Sequence, residues 1–180
     1  MAIQDNGTVD SWDLLGALSP QGAINILDRV SPYLNIQKNC GTDNECNPDT
    51  YLWLNPTVTE GMSFKAKAIL SDGSLLFVFV RYPLCDNVSG DNLLLKNTCG
   101  DAEVDINGFK PPNQRGKDLF SFHITKNGII PIGAANDYSD FSDCLNHGVG
   151  RSCAAWVIYN ENMDYLKCSD LSWSGKRKCG

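Results

Sequence analysis

The eight cysteines spread from Cys40 to Cys179 constrain this chain more than any other feature. None stands in a CxxC pair, and their intervals match no common zinc module. An even number of thiols spaced in this way suits disulfides, which persist where the surroundings are oxidising. The expected place of work is therefore outside the cytoplasm. Eight cysteines allow 105 connectivities, and spacing alone does not choose among them. Pairing of neighbours is the working expectation, because each pair then closes a loop rich in Gly, Asn or Asp: Cys40–Cys46, Cys85–Cys99, Cys144–Cys153 and Cys168–Cys179. Each bridge would contribute about 2–4 kcal/mol, mainly by restricting the unfolded chain.

A chain of 180 residues, 42% of them hydrophobic, can bury one sizeable core. Its net charge of −6 opposes nucleic-acid binding, which depends on basic side chains neutralising phosphates. The short basic stretch Lys176-Arg177-Lys178 does not overturn that balance. The longest strictly apolar run, Leu75 to Val80, is far below the roughly 20 residues of a membrane-spanning helix. Met1 to Gly7 has no apolar signal-peptide core. An oxidised domain must still be carried out of the cytoplasm, so the expectation is an export or anchor segment ahead of Met1.

The first 35 residues read as helical. Asp10 or Ser11 is a candidate cap for a short helix bearing Trp12, Leu14, Leu15 and Leu18. Ser19-Pro20 is a stronger start signal, with Ser at N-cap and Pro at N1. Ala23, Ile26, Leu27, Val30 and Leu34 then follow the spacing of one buried helix face, and Ser31-Pro32 breaks or restarts the helix. From about residue 50 to 170 the pattern changes to antiparallel sheet and loops. Phe64–Leu70 and Leu75–Tyr82 flank the turn Ser71-Asp72-Gly73-Ser74, and the second arm, apolar on both faces, reads as a central strand. Phe120, Phe122 and Ile124 alternate with polar residues before the Asn127-Gly128 turn into Ile129-Ile130. A third hairpin is expected between Ala154–Tyr159 and Met163–Leu166. The expected fold is a single α+β domain over residues 1–180, with an N-terminal helix packed on an antiparallel sheet and disulfides stapling the loops.

Little in the sequence points to catalysis. There are two histidines: His123 is expected on the polar face of a strand, and His147 within a disulfide loop. No GxSxG elbow accompanies them, and the glycine-rich segments lack nucleotide-binding patterns. Asp101, Glu103, Asp105 and Asn107 alternate with apolar residues, so an extended strand would place them on one face. That face reads as solvated, or as part of a calcium site, since calcium takes 6–8 oxygen ligands. Asn136, Asp137, Asp140 and Asp143 form a second acidic group whose spacing is not that of an EF-hand. No other cofactor is suggested. Trp12, Trp53, Trp156 and Trp173 are expected to be core or hairpin aromatics rather than a sugar platform.

Three stretches carry a resemblance: Val104 to Phe122, containing Asp105-Ile106-Asn107-Gly108 and Gly116-Lys117-Asp118; Ile124 to Gly133; and Cys153 to Leu166, containing Ala154-Ala155-Trp156-Val157-Ile158-Tyr159. Together they resemble the periplasmic domains of bacterial type IV pilin-like proteins, including the pseudopilins of type II secretion systems. The resemblance covers roughly residues 100–168. It implies a long N-terminal helix, anchored in the inner membrane before assembly, and a sheet-bearing head. It also implies a structural subunit rather than an enzyme, whose partners are other such subunits reached through a hydrophobic helix ahead of Met1. Contact with a membrane would run through that helix alone, and the head without it would be monomeric. Prepilin cleavage and N-methylation belong to the same implication, as does a periplasmic or cell-surface filament. On this reading the eight cysteines and the turns Asn107-Gly108 and Asn127-Gly128 are the structural residues to watch. The alternatives are a secreted or surface binding domain that recognises a glycan or protein and, third, a small secreted hydrolase.

Overall fold

Six strands follow one another in an antiparallel meander: β1 (Ile36–Gly41), β2 (Ala66–Leu70), β3 (Leu75–Val80), β4 (Thr98–Asp105), β5 (Leu119–Thr125) and β6 (Gly128–Pro131). This arrangement comes from a computed structural model that describes residues 1–48, 50–57 and 63–180. Residues 49 and 58–62, part of the stretch around and beyond residue 50 that the sequence assigns to sheet and loop, lie outside the described residues. The sheet begins earlier than residue 50, because β1 pairs with β2 across a long connection.

Helix α1 (Ala2–Asn6) is short, and helix α2 (Pro20–Val30) is the one that builds a core. The Ser19 Oγ accepts the Gly22 N–H at 3.1 Å, and Pro20 fills N1, as the Ser-Pro signal indicates. Ala23, Ile26 and Leu27 of α2 pack on Ala66, Ala68, Leu76, Val78, Val80, Ala102 and Ile124 of the sheet. Ser31-Pro32 ends the helix in a single 3-10 turn, leaving Leu34 outside it. The helix expected at Trp12–Leu18 does not form. Asp13, Leu15 and Leu18 adopt positive φ, and the segment is a loop after a 3-10 turn at Val9–Ser11. Trp12 and Leu14 are nevertheless buried, with the Trp12 indole N–H shared between the Asn6 and Gly7 carbonyls at 3.0 Å.

β3 is indeed interior, third of six, and apolar on both faces. Leu76, Val78 and Val80 face the α2 side, while Leu75 and Phe77 meet Tyr51 and Leu119 on the other. The loop carrying Tyr51 packs on that second face, and two short helices follow β6, α3 (Ser142–Leu145) and α4 (Ala154–Asn160), the latter lying against β5 and β6. The hairpin expected at Ala154–Leu166 is therefore replaced by α4 and a 3-10 turn at Asp164–Leu166. A short apolar run does not distinguish helix from strand by periodicity. Here Ala154, Ala155 and Trp156 are all buried while Ile158 and Tyr159 are exposed, which is not the alternation of a strand. Trp156 stacks on Phe141 at 4.3 Å in a second core with Leu54, Tyr165 and Leu171. The molecule is thus α+β, with a central sheet between α2 and a layer of loops. Among the described residues no helix is long and apolar enough to cross a membrane.

The four disulfides are Cys40–Cys46, Cys85–Cys99, Cys144–Cys153 and Cys168–Cys179. They fit an oxidising environment.

Candidate functional site

Strand β4 carries the residues on which the site is built. Alternation places Asp101, Glu103 and Asp105 on one face. That face does not meet water: the three residues are 1%, 1% and 0% exposed. The register explains the departure from expectation. Phe79, Phe77 and Leu75 stand directly opposite these acids on β3 and require cover of their own. The layer that covers them covers the carboxylates too. Burying a charge is costly unless it is paired, and each acid has its own partners.

Glu103 lies between two cations. Its Oε1 accepts from Arg115 Nη2 at 2.5 Å, and its Oε2 accepts from Lys65 Nζ. Arg115 also donates to Ser121 Oγ at 2.7 Å and lies 4.9 Å from the Trp53 ring. Burial works to raise the Glu103 pKa, but the Arg115 and Lys65 charges together outweigh it and hold the carboxyl at about 2. Asp105 accepts from Tyr51 Oη at 3.0 Å and from the Asn107 N–H at 3.2 Å. Burial, helped by the nearby Asp118 charge, outweighs those hydrogen bonds and lifts its pKa to about 6. Asp118 accepts the backbone N–H groups of Asn113 and Gln114, at 2.9 and 2.5 Å, and the Asn107 side-chain amide at 3.1 Å. The Asn107-Gly108 turn is held there. Gly108, at φ 70°, leaves no room for a Cβ, which would lie 2.3 Å from the Gly73 carbonyl oxygen.

Asp101 anchors the other end. Its Oδ2 accepts from Arg81 Nε at 2.5 Å and from Arg151 Nη2 at 2.6 Å. Cross-strand from it on β5 is His123, whose Nδ1 lies 3.4 Å from Asp101 Oδ1 and whose Nε2 lies 3.1 Å from Asp137 Oδ2. His123 is buried rather than exposed on a polar strand face. Burial alone would lower its pKa, but hydrogen bonds and charge from Asp101 and Asp137 more than offset this and raise it. Asp101 is held well below the usual carboxylate range: burial opposes ionisation, and His123, Arg151 and Arg81 overcome it. Asp137 also accepts the N–H groups of Gly133 and Ser139 at 3.0 and 2.8 Å, fastening the chain beyond β6. A cavity of about 260 Å³ opens over this cluster. Arg81, Tyr82, Ser89, Tyr138 and Arg151 form its walls, with Asp101 and His123 at its buried side.

The second acidic group is put to local use. Asp143 accepts the Val149 and Arg151 N–H groups at 2.7 and 3.0 Å, and Asp140 accepts the Ser142 N–H at 2.9 Å, shaping the loop closed by Cys144–Cys153. Among the described residues no three His, Cys, Asp or Glu side chains converge as metal ligands would. His147, within the same disulfide loop, pairs its Nε2 with the Tyr165 carbonyl oxygen at 3.2 Å. Trp12 and Trp156 are core residues, and Trp173 packs against Trp156 and Phe141.

The cations of this site were not visible as candidates in the sequence. Lys65, Arg81, Arg115 and Arg151 come from four separate segments, and no motif joins them. The usable signal lay in β3: a strand apolar on both faces obliges its neighbour to be buried on both, so acids on that neighbour must find counter-ions. Comparison with protein-family models, with curated proteins and with solved structures finds no match to this chain.

Proposed function

We propose that this chain is the head of a type IV pilin-like or type II pseudopilin-like filament subunit, a structural protein that turns over no substrate. The observation that carries the reading is the packing of α2 across one face of an antiparallel meander whose opposite face is covered by disulfide-stapled loops. That arrangement suits a head whose helix side joins an assembly and whose loop side is displayed. It agrees with the resemblance carried by residues 100–168. Assembly would run through a hydrophobic helix ahead of Met1, with other subunits as partners and a periplasmic or cell-surface filament as the product. Calcium and other cofactors play no part in this reading. Mass spectrometry of the native protein, recovered from sheared surface filaments and from membranes, tests it. A methylated N-terminus produced by prepilin cleavage, on protein that sediments with filaments, is expected. A monomer released into the medium after ordinary signal-peptide cleavage refutes it.

One observation favours a second reading, a secreted or surface binding domain: the polar cavity over Asp101 and His123. Ligand sites are concave and largely pre-formed, with a few convergent polar groups.

A further inference from the structure

We propose that His123 is a proton-operated latch: as the imidazolium it ties Asp101 on β4 to Asp137 beyond β6, and loss of one proton loosens segment 133–139 and the cavity wall it forms. The inference concerns the head alone and does not depend on filament assembly.

Each ring nitrogen of His123 faces a carboxylate and no other partner. Nε2 lies 3.1 Å from Asp137 Oδ2, and Nδ1 lies 3.4 Å from Asp101 Oδ1. All three side chains are buried, so water does little to replace a missing contact. A neutral imidazole carries one N–H, and its second nitrogen is an acceptor. Either neutral tautomer therefore sets a lone pair against a buried carboxylate. Only the imidazolium offers a hydrogen to both. Burial opposes that charge, but the two carboxylates outweigh it and favour the charged ring.

The surrounding charges are lopsided. Arg81, just beyond β3, and Arg151, in the loop closed by Cys144–Cys153, both bond Asp101 Oδ2. On the other side of β5, the residue of β6 opposite His123 is the uncharged Ile130. Asp101 thus keeps two cations when His123 loses its proton. Asp137 pairs with no other cation among the described residues, and it retains only the N–H groups of Gly133 and Ser139. Whichever nitrogen keeps its hydrogen, Asp137 loses the one positive charge that opposed its own. β4 is also the fixed side, paired with β3 and with β5. The deprotonated site is therefore relieved by movement of Asp137.

That movement reaches the cavity. The Asp137 carboxylate gathers segment 133–139, whose Tyr138 and Ser139 line the cavity. The Tyr138 N–H donates to the Ser89 carbonyl at 2.9 Å, and the Asp91 N–H to the Asn136 carbonyl at 3.0 Å. The segment consequently moves with the loop closed by Cys85–Cys99, which supplies Asn87 and Ser89 to the same cavity. Since the folded protein favours the charged ring, the latch is closed at acidic pH and opens as the pH rises through the His123 titration.

The test follows the uniformly labelled full chain by nuclear magnetic resonance from about pH 5.5 to about pH 9.5. Ring nitrogen shifts report whether His123 carries one hydrogen or two. Amide exchange, divided by the intrinsic rate at each pH, reports protection. At about pH 6 both ring nitrogens should carry hydrogen. As the second proton leaves, protection at Gly133 and Ser139 should fall at least about tenfold, in step with the ring, while Phe77 and Ala102 in the sheet hold theirs. His123→Gln does not titrate, so its Gly133 and Ser139 amides should lack the step. Asp137→Asn should lower the midpoint of the His123 ring, because one of the two charges facing it is gone. The proposal is overturned if the parent ring holds one hydrogen at about pH 6, or two throughout the range. It is equally overturned if the ring titrates while protection at the two amides stays level, if His123→Gln keeps the step, or if Asp137→Asn leaves the midpoint unchanged. The ring and protection readings come from the parent protein, so a variant that fails to fold does not spare the proposal.

Discussion

Replacing Glu103 with Gln isolates the interaction on which the covered face of the sheet most depends. The substitution keeps the side-chain shape and removes the one anion shared by Lys65 and Arg115. Lys65, Glu103 and Arg115 are all almost fully buried, so neither cation can turn to water without moving backbone. Breaking a buried ion pair from one side costs about 3–5 kcal/mol, because an uncompensated charge remains. Titration gives a second route to the magnitude. A carboxyl that titrates near 2 when folded and near 4.5 when unfolded adds about 3 kcal/mol at neutral pH, at about 1.4 kcal/mol per pH unit. Because the folded pKa is the lower one, that stability is complete above pH 4.5 and is lost as the pH falls towards 2. At about 2–4 °C per kcal/mol for a chain of this size, Glu103→Gln should melt roughly 10 °C or more below the parent at pH 7, followed by circular dichroism without reductant. The loss should shrink as the pH falls through 4, where the parent also loses its carboxylate. Adding Lys65→Met to Glu103→Gln should recover part of the deficit, since one stranded charge is then gone. A Glu103→Gln melting point within about 2 °C of the parent at pH 7 would refute the buried-triad reasoning.

Other perturbations follow from the same geometry. Asp105, lifted to about 6, and His123, also raised, both bind protons more readily folded than unfolded, so stability should rise as the pH drops from 7.5 towards 5. Asp105→Asn should flatten much of that rise; melting curves across this range in parent and variant check it, and a parent that loses stability on acidification to pH 5 contradicts it. Gly22→Ala should destabilise by about 1–3 kcal/mol although alanine favours helix, because its Cβ would lie 2.0 Å from the Leu14 carbonyl oxygen; a higher urea midpoint would show that Leu14 can move. Converting Cys144 and Cys153 together to Ser should cost about 2–4 kcal/mol, read as a lower denaturant midpoint under non-reducing conditions, and an unchanged midpoint would contradict it.

The sequence revealed local signals well and long-range ones poorly. Ser19-Pro20 marked the start of α2 because capping is a matter of neighbouring residues. The Asp72-Gly73 and Asn127-Gly128 turns marked their hairpins for the same reason. The Trp12–Leu18 and Ala154–Leu166 segments failed because tertiary contacts set their conformation. Trp12 is drawn in by the Asn6 and Gly7 carbonyls, and Trp156 by stacking on Phe141. The site failed in a more informative way. Its carboxylates were found, and on one shared face, but assigned to water because strand alternation says which residues face together and not what covers them. Pairing β3 with β4 would have supplied the answer, since Phe77 opposite Glu103 cannot be buried while its neighbour stays wet.

This arrangement also separates two kinds of restraint on the irregular layer. The disulfides span sequence separations of only 6, 14, 9 and 11 residues, and three of the four have both cysteines outside β3, β4 and β5. Cys144–Cys153 and Cys168–Cys179, with no cysteine in a strand, limit the freedom of their loops without saying where on the sheet they rest. Position comes from β4, whose side chains reach different covering segments. Asp101 holds Arg151 of the Cys144–Cys153 loop, Glu103 holds Arg115 and Lys65, and Asp105 holds Tyr51. Ionic contacts are directional and costly to misplace, so they add a docking restraint to the apolar packing of Leu54, Phe141, Trp156 and Tyr165 in the same layer. The other face of β4, with Ala102 and the partly buried Val104 against the α2 core, needs no such device because hydrophobic burial is enough there. One strand thus joins a core held by apolar area to a layer held by apolar area and charge together.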